Sequence, residues 1–224
     1  MRIDELRADG GERSVRVAWE GGDTRLSVTV PPEMAVEGDD LTQFVPIALM
    51  LAMRRGEPLG IDGAVSARLL GSLATVQEIL SAWSPTFARV PVRVREVAPS
   101  VVPAGGRACG FSRGVDSTYS AVCPRPSGEE LTHLVYCDGL DPSYGAATGS
   151  ARIAAAQAAA AAVGLPLIAV TLNTREVLDH VIDHEDSYGA ALAMVGLSLA
   201  PAIGAFTVAS ARDCNSLLPR GRTA

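Results

Sequence analysis

The chain has 224 residues, of which 48% are hydrophobic and 20% charged, with a formal net charge of −6. This length and composition imply one large or two small globular domains with a sizeable core. The acidic balance argues against a general nucleic-acid surface, which needs basic patches. All 19 basic residues are Arg and none is Lys, which excludes a Walker-type phosphate loop and a Lys Schiff base.

The N-terminus, Met1-Arg2-Ile3-Asp4, is polar and carries no signal-peptide pattern. No apolar run reaches membrane-spanning length. A cytoplasmic setting with free thiols is therefore expected, with no membrane partner. Residues 14–19 and 25–30 alternate in character around Glu20-Gly21-Gly22-Asp23, which predicts a β-hairpin. Asp40 or Thr42 caps a predicted helix that runs through Met53 and is closed by Gly56. A second helix is predicted over 64–83 from the spacing of Leu69, Leu73, Val76 and Leu80. Residues 89–97 alternate again and read as a strand. Residues 1–98 thus form a small α+β domain. They show no nucleophile or metal constellation, and their role is packing, dimerisation or shaping substrate access. The Pro- and Gly-rich stretch 97–106 reads as a linker.

From residue 105 the pattern changes to strands alternating with helices, the signature of a parallel sheet. Strands are predicted at 107–111, 132–137, 166–172 and 205–209. Helices are predicted after the first strand (ended by Pro124), over 150–163 (Ser150 as N-cap, Gly164 as stop), from Thr174, and over 188–198. The fold class is a doubly wound, Rossmann-like α/β sheet over 105–224, preceded by the α+β unit. Ligands of such sheets sit beyond the carboxyl ends of the strands. Those ends carry Ser112 to Thr118, then Asp138, Gly139 and Asp141, then Asn173, Thr174 and Arg175, then Ser210, Arg212 and Asp213.

The first strand end reads Ser112-Arg113-Gly114-Val115-Asp116-Ser117-Thr118. A polar turn opening a helix points backbone N–H groups, hydroxyls and the helix dipole at one small volume, which favours an anion such as phosphate. The plainer alternative is a simple N-cap. The segment resembles the PP-loop of the ATP pyrophosphatase superfamily, whose usual form is Ser-Gly-Gly-x-Asp-Ser. Arg113 stands where that pattern has its first Gly, and a positive φ there would cost energy. The resemblance covers about 105–215 and points most closely to the N-type branch of asparagine synthetase, NAD synthetase and tRNA thiolation enzymes.

The resemblance implies a Rossmann-like domain that adenylates a carboxyl or carbonyl oxygen of a small metabolite, releases pyrophosphate, and passes the activated group to a nitrogen nucleophile. A sulfurtransferase of the same chemistry, or a non-catalytic nucleotide-binding protein, are the alternatives. ATP and Mg²⁺ are the implied cofactors. The partners are a carboxyl or carbonyl substrate, an amine, ammonia or sulfur donor, and a second copy of the chain or another subunit. Ser112, Gly114, Val115, Ser117 and Thr118 would bind the phosphates, and Asp116 would hold Mg²⁺. Arg113, Arg175 and Arg212 would stabilise the transferring group where relatives use Lys. Main-chain groups from Tyr136 through Asp138 to Gly139 would contact adenine or ribose. No N-terminal Cys nucleophile of a glutaminase is present, since Arg2 follows Met1. No clear fifth strand follows 205–209, so an incomplete C-terminus or a site completed elsewhere is expected.

His180 and His184 lie at i and i+4 with Glu176 one turn earlier; a solvated helix face and a metal site are both compatible with that spacing. None of the four Cys forms a C-x-x-C pair. Cys137 and Cys214 sit near the proposed pocket and serve either as apolar packing or as sulfur carriers.

Overall fold

Side-chain alternation decides the architecture of the first half. In the computed structural model, which describes residues 1–99, 104–126, 128–140 and 149–209, β2 (Glu12–Trp19) and β3 (Gly22–Thr29) form the expected hairpin, in unbroken register from Glu12↔Thr29 to Trp19↔Gly22. Gly21 takes φ +91° in its two-residue turn. Val15, Val17, Leu26 and Val28 point inward and are buried. Arg16 and Arg25 lie on the opposite face, since side chains alternate along a strand.

Two strands of this half escape a reading of the sequence alone. β1 (Arg2–Asp9) is broken by a register shift between Asp4 and Arg7, and it buries only Ile3 and Asp4. Its charged pattern hides it. Asp4 accepts two hydrogen bonds from Arg16, at 2.9 and 3.1 Å, which hold its carboxyl below the usual range. β4 (Leu59–Ser66) is interrupted by Gly60 and Gly63. The predicted second helix consequently starts later: α2 is Ala67–Trp83, and residues 64–66 pair instead with β5 (Val92–Ala98). α1 (Val45–Arg55) follows a 3₁₀ turn at Thr42–Phe44. Asp40 Oδ1 accepts from the Thr42 N–H, and Gly56 closes the helix at φ +69°.

The second half follows the expected alternation, with boundaries within about two residues for the strands. Its strands are β6 (Gly106–Gly110), β7 (His133–Asp138), β8 (Leu167–Leu172) and β9 (Ile203–Thr207). Its helices are α3 (Val115–Val122), α4 (Gly149–Val163), α5 (Thr174–Leu178) and α6 (His184–Ser198). Ser150 lies inside the first turn of α4 rather than capping it, and Gly164 takes the left-handed conformation expected of a stop. α6 begins four residues before the predicted 188 because Asp183 caps it, accepting from the Glu185 N–H at 2.8 Å.

The nine strands of the described residues join one sheet in the order β5-β4-β1-β2-β3-β8-β7-β6-β9. The pairings β8-β7, β7-β6 and β6-β9 are parallel. The chain steps from β6 to β7 to β8 and then returns to the far side of β6 for β9, so the strand order reverses at β6. That is the order of a Rossmann-like sheet. Both faces of this half are covered. Cys109, Phe111 and Leu134 pack with Ala121 of α3 and Ala160 of α4 on one side. Ala108, Val135, Ile168 and Val170 join the main core, which includes Leu192 and Val195 of α6, on the other.

The halves meet through an antiparallel pairing of β3 with β8, Val28↔Leu172 and Thr29↔Thr171. Asn173 extends it with its side chain. Its Oδ1 accepts from the Ser27 N–H at 2.8 Å, and its Nδ2 donates to the Arg25 carbonyl at 2.7 Å. The main core runs through both halves. The predicted linker begins inside β5, whose Val97 and Ala98 pair with Val65 and Ser66; residues 100–103 lie outside the described residues. Among the described residues no helix is long and apolar enough to cross a membrane.

Candidate anion-binding site at the strand-order reversal

The loop Ser112 to Thr118 leaves β6 at the point where the sheet order reverses. The Phe111 N–H donates to the Val135 carbonyl at 2.7 Å, so the loop departs alongside β7. Ser112 Oγ and Ser117 Oγ lie 3.1 Å apart. The Gly114 N–H donates to Ser112 Oγ at 3.3 Å, and Ser117 Oγ donates to the Gly114 carbonyl at 3.1 Å. Gly114 is the N-cap residue of α3, and no side chain caps the first turn of that helix. Two hydroxyls and an uncapped helix N-terminus therefore share one corner. Val115 and Asp116 are exposed there, whereas Ser117 is buried.

Arg113 takes φ +67°, the left-handed conformation that favours Gly. For a residue with a Cβ this costs about 1–2 kcal/mol. Its guanidinium does not fill the loop. It lies over the Tyr136 ring, 5.8 Å from the centroid, a contact worth roughly 0.5–1 kcal/mol. The strain is thus partly offset by stacking on the neighbouring strand.

The end of β7 is met by a residue that sequence reasoning missed. Arg152 of α4 donates from Nε to Asp138 Oδ1 at 2.9 Å, its Nη2 lies 2.9 Å from the same oxygen in an ion pair, and it also interacts with the Tyr136 hydroxyl. The hydrogen bond to Asp138 raises its pKa above the ordinary value. Arg152 is the lone charge in the Ala-rich α4 and sits in the first turn, where the helix dipole opposes a cation. A lone cation at the unfavourable end of a helix was the available signal. Gly139 follows with φ +94°, and a Cβ there would come 2.0 Å from the Leu172 carbonyl oxygen. It allows the ends of β7 and β8 to approach.

The other sequence candidates divide. Arg175 binds Asp179 at 2.7 and 2.9 Å and reaches the Leu140 carbonyl at 3.4 Å, tying α5 to the turn after β7 rather than to the loop. Asn173 serves the sheet junction. Thr174 is buried, and its hydroxyl has no hydrogen-bond partner among the described residues. Asp141, Ser210, Arg212, Asp213 and Cys214 lie outside the described residues. Among the described residues Cys109, Cys123 and Cys137 form no disulfide. Burial pushes the Cys109 thiol up, and Cys137 packs against the main core.

Among the described residues no group of three or more His, Cys, Asp and Glu is placed for a metal ion. Glu176, His180 and His184 thus form no such group, and His184 stacks edge-on against Tyr188. Asp116, an exposed carboxylate in the first turn of α3, is the residue of this loop that could hold Mg²⁺, which takes one or two carboxylates and completes its shell from phosphates and water. A cavity of about 290 Å³ opens beside Gly10, Gly11 and Gly38. It is lined by residues 8–13 and 35–38 of the first half, and none of these belongs to the carboxyl ends of β6 to β9, where ligands of such sheets bind. Arg13 there donates from Nη1 and Nη2 to the carbonyls of Val36, Gly38 and Asp40. Comparison with known proteins gives no match to a family model, to a curated protein or to a solved structure.

Proposed function

We propose that the protein is an ATP-dependent adenylating ligase of the PP-loop type. The carrying observation is the Ser112–Ser117 loop, which delivers two hydroxyls and an uncapped helix N-terminus to the strand-order reversal. In this reading the hydroxyls of Ser112, Ser117 and Thr118 and the amides of Gly114 to Ser117 bind the β- and γ-phosphates. Main-chain groups of Tyr136, Asp138 and Gly139 line the adenosine. Asp116 holds Mg²⁺, which neutralises phosphate oxygens when bound. A substrate carboxyl or carbonyl oxygen attacks the α-phosphorus, the bond to the bridging oxygen breaks, and pyrophosphate leaves. A nitrogen nucleophile then displaces AMP. The packing of Cys137 against the core lends no support to the sulfur-carrier alternative for that residue.

Pyrophosphate release from ATP across a panel of carboxylates and amines tests the reading. Release with at least one pair is the expected result. Absence of both release and ATP binding overturns it.

Arg113 offers a second check. Arg113→Gly relieves about 1–2 kcal/mol of strain, but loses roughly 0.5–1 kcal/mol of stacking and gains about 0.5–1 kcal/mol of unfolded-state freedom. Stability measured by urea denaturation is expected to change by less than about 1 kcal/mol. ATP affinity is expected to fall about tenfold, the loss of one charge-assisted contact. A large stability loss with unchanged affinity would assign Arg113 to the fold alone.

A further inference from the structure

A helix that covers a sheet normally turns charged residues outward. α2 does not. Of its eleven exposed residues only Arg68 and Glu78 are charged, and Glu78 is paired with Arg89 at 2.7 Å. We propose that a second copy of this chain covers this face, with α2 packed antiparallel to its twofold mate. The inference is independent of the ATP reading.

Four observations carry it. First, the face is apolar and continuous. α2 packs inward through Leu73 and Gln77, whose Oε1 accepts from the Val90 N–H at 2.7 Å. Val76, Ile79 and Trp83 stand clear of that side, 38%, 43% and 39% exposed, and with Ser72 they recur at helical spacing. Second, the strip fits its own copy. Its bulk, Trp83, is at one end, and its small residues, Gly71 and Ser72, are toward the other. A Cβ at Gly71 would meet nothing within 4 Å. An antiparallel twofold pair centred between Gln77 and Glu78 sets Val76 opposite the partner's Ile79 and lays Trp83 over the partner's Ser72. Large thus meets small at both ends, as a self-complementary contact requires. Third, charge permits this pairing. It holds the two Arg68 guanidinium groups about 28 Å apart along the axis at ~1.5 Å rise per residue, beyond the ~8–10 Å screening length. A parallel pair would set them side by side. Fourth, the neighbouring sheet edge is closed to a copy. β5 ends the strand order and carries Arg93, Arg95 and Glu96. A twofold antiparallel pairing of β5 centred on any residue from 93 to 96 sets Arg against Arg or Glu against Glu.

The area sets the strength. The strip is ~25 Å long and ~10–12 Å wide, a footprint of roughly 250–300 Å² per copy, under half of the ~800 Å² per partner in a standard interface. The dimer is therefore weak, half-formed at about 0.1–1 mM.

Sedimentation equilibrium of the full chain from about 10 µM to about 1 mM is the test. The parent is expected to pass from monomer toward dimer across that range and to form nothing larger, since a twofold contact closes. Ile79→Glu places a charge at the centre of the strip. Ser72→Glu places one at a solvent-facing position that contributes little apolar area, and only the antiparallel register brings it under the partner's Trp83. Each is expected to weaken association at least about tenfold, with its urea midpoint showing that it is folded. Should Ile79→Glu fail to fold, Ser72→Glu decides alone. A parent that stays monomeric at about 1 mM, or that assembles beyond a dimer, overturns the inference. Association of folded Ser72→Glu equal to that of the parent also overturns it, since the contact then lies elsewhere or in another register.

Discussion

Gly139→Ala should destabilise the protein by about 2–5 kcal/mol. The left-handed backbone at φ +94° contributes about 1–2 kcal/mol of that. The new Cβ, placed 2.0 Å from the Leu172 carbonyl oxygen, adds an overpacking term of about 1–3 kcal/mol. The obstacle is backbone at the end of β8, so neither strand can yield without loosening the β7–β8 pairing, which runs to Asp138↔Thr171. Gly21 supplies the control. It has nearly the same φ, +91°, and a Cβ there would meet nothing within 4 Å. Gly21→Ala should cost only the backbone term. Urea denaturation of the two variants separates clash from conformation, and equal losses would show that the close approach at Gly139 is not rigid. The PP-loop resemblance puts Gly139 beside the nucleotide. Its tight fit against Leu172 also makes it a poor probe of binding, because its substitution acts through the fold.

Asp116→Ala should act in the opposite manner, with a large effect on chemistry and a small one on folding. Asp116 is exposed in the first turn of α3. Its favourable interaction with the helix N-terminus is worth about 0.3–1 kcal/mol, so the melting temperature should drop by only a few degrees. Removing the proposed Mg²⁺ ligand should reduce Mg²⁺-dependent pyrophosphate release at least about 100-fold, the scale seen when one electrostatic stabiliser is lost. Measuring release against Mg²⁺ concentration adds a readout that a purely structural role would not move. Asp116→Ala with parental turnover would remove Asp116 from the site.

What the sequence disclosed follows the physics of each element. The four parallel strands were legible because each is a short apolar run bounded by polar turns. The Ser112–Thr118 loop was legible because its residues are contiguous. β1 was not, because a strand with one solvated face and a register break presents charges rather than alternation. β4 was lost to its glycines and merged with the helix that follows. Arg152 was overlooked for a different reason. Its partners Tyr136 and Asp138 are distant in sequence and meet it only through the α4–β7 packing. Arg175 failed in the converse way: adjacency to a strand end suggested a ligand contact, whereas Asp179, one helical turn on, captures its guanidinium. The pairing of β3 with β8, and the Asn173 side chain that extends it, are long-range events that no local pattern records.

Whether the Ser112–Ser117 loop is a nucleotide phosphate site is tested most directly by equilibrium binding of ATP. Calorimetric titration of the full chain with Mg²⁺ and ATP is predicted to give saturable one-to-one binding within about 1 mM, the upper range of ordinary substrate affinities, and Ser117→Ala is predicted to weaken it at least about tenfold. No saturable binding by the parent, or equal binding by a folded Ser117→Ala variant, would contradict the assignment of this loop.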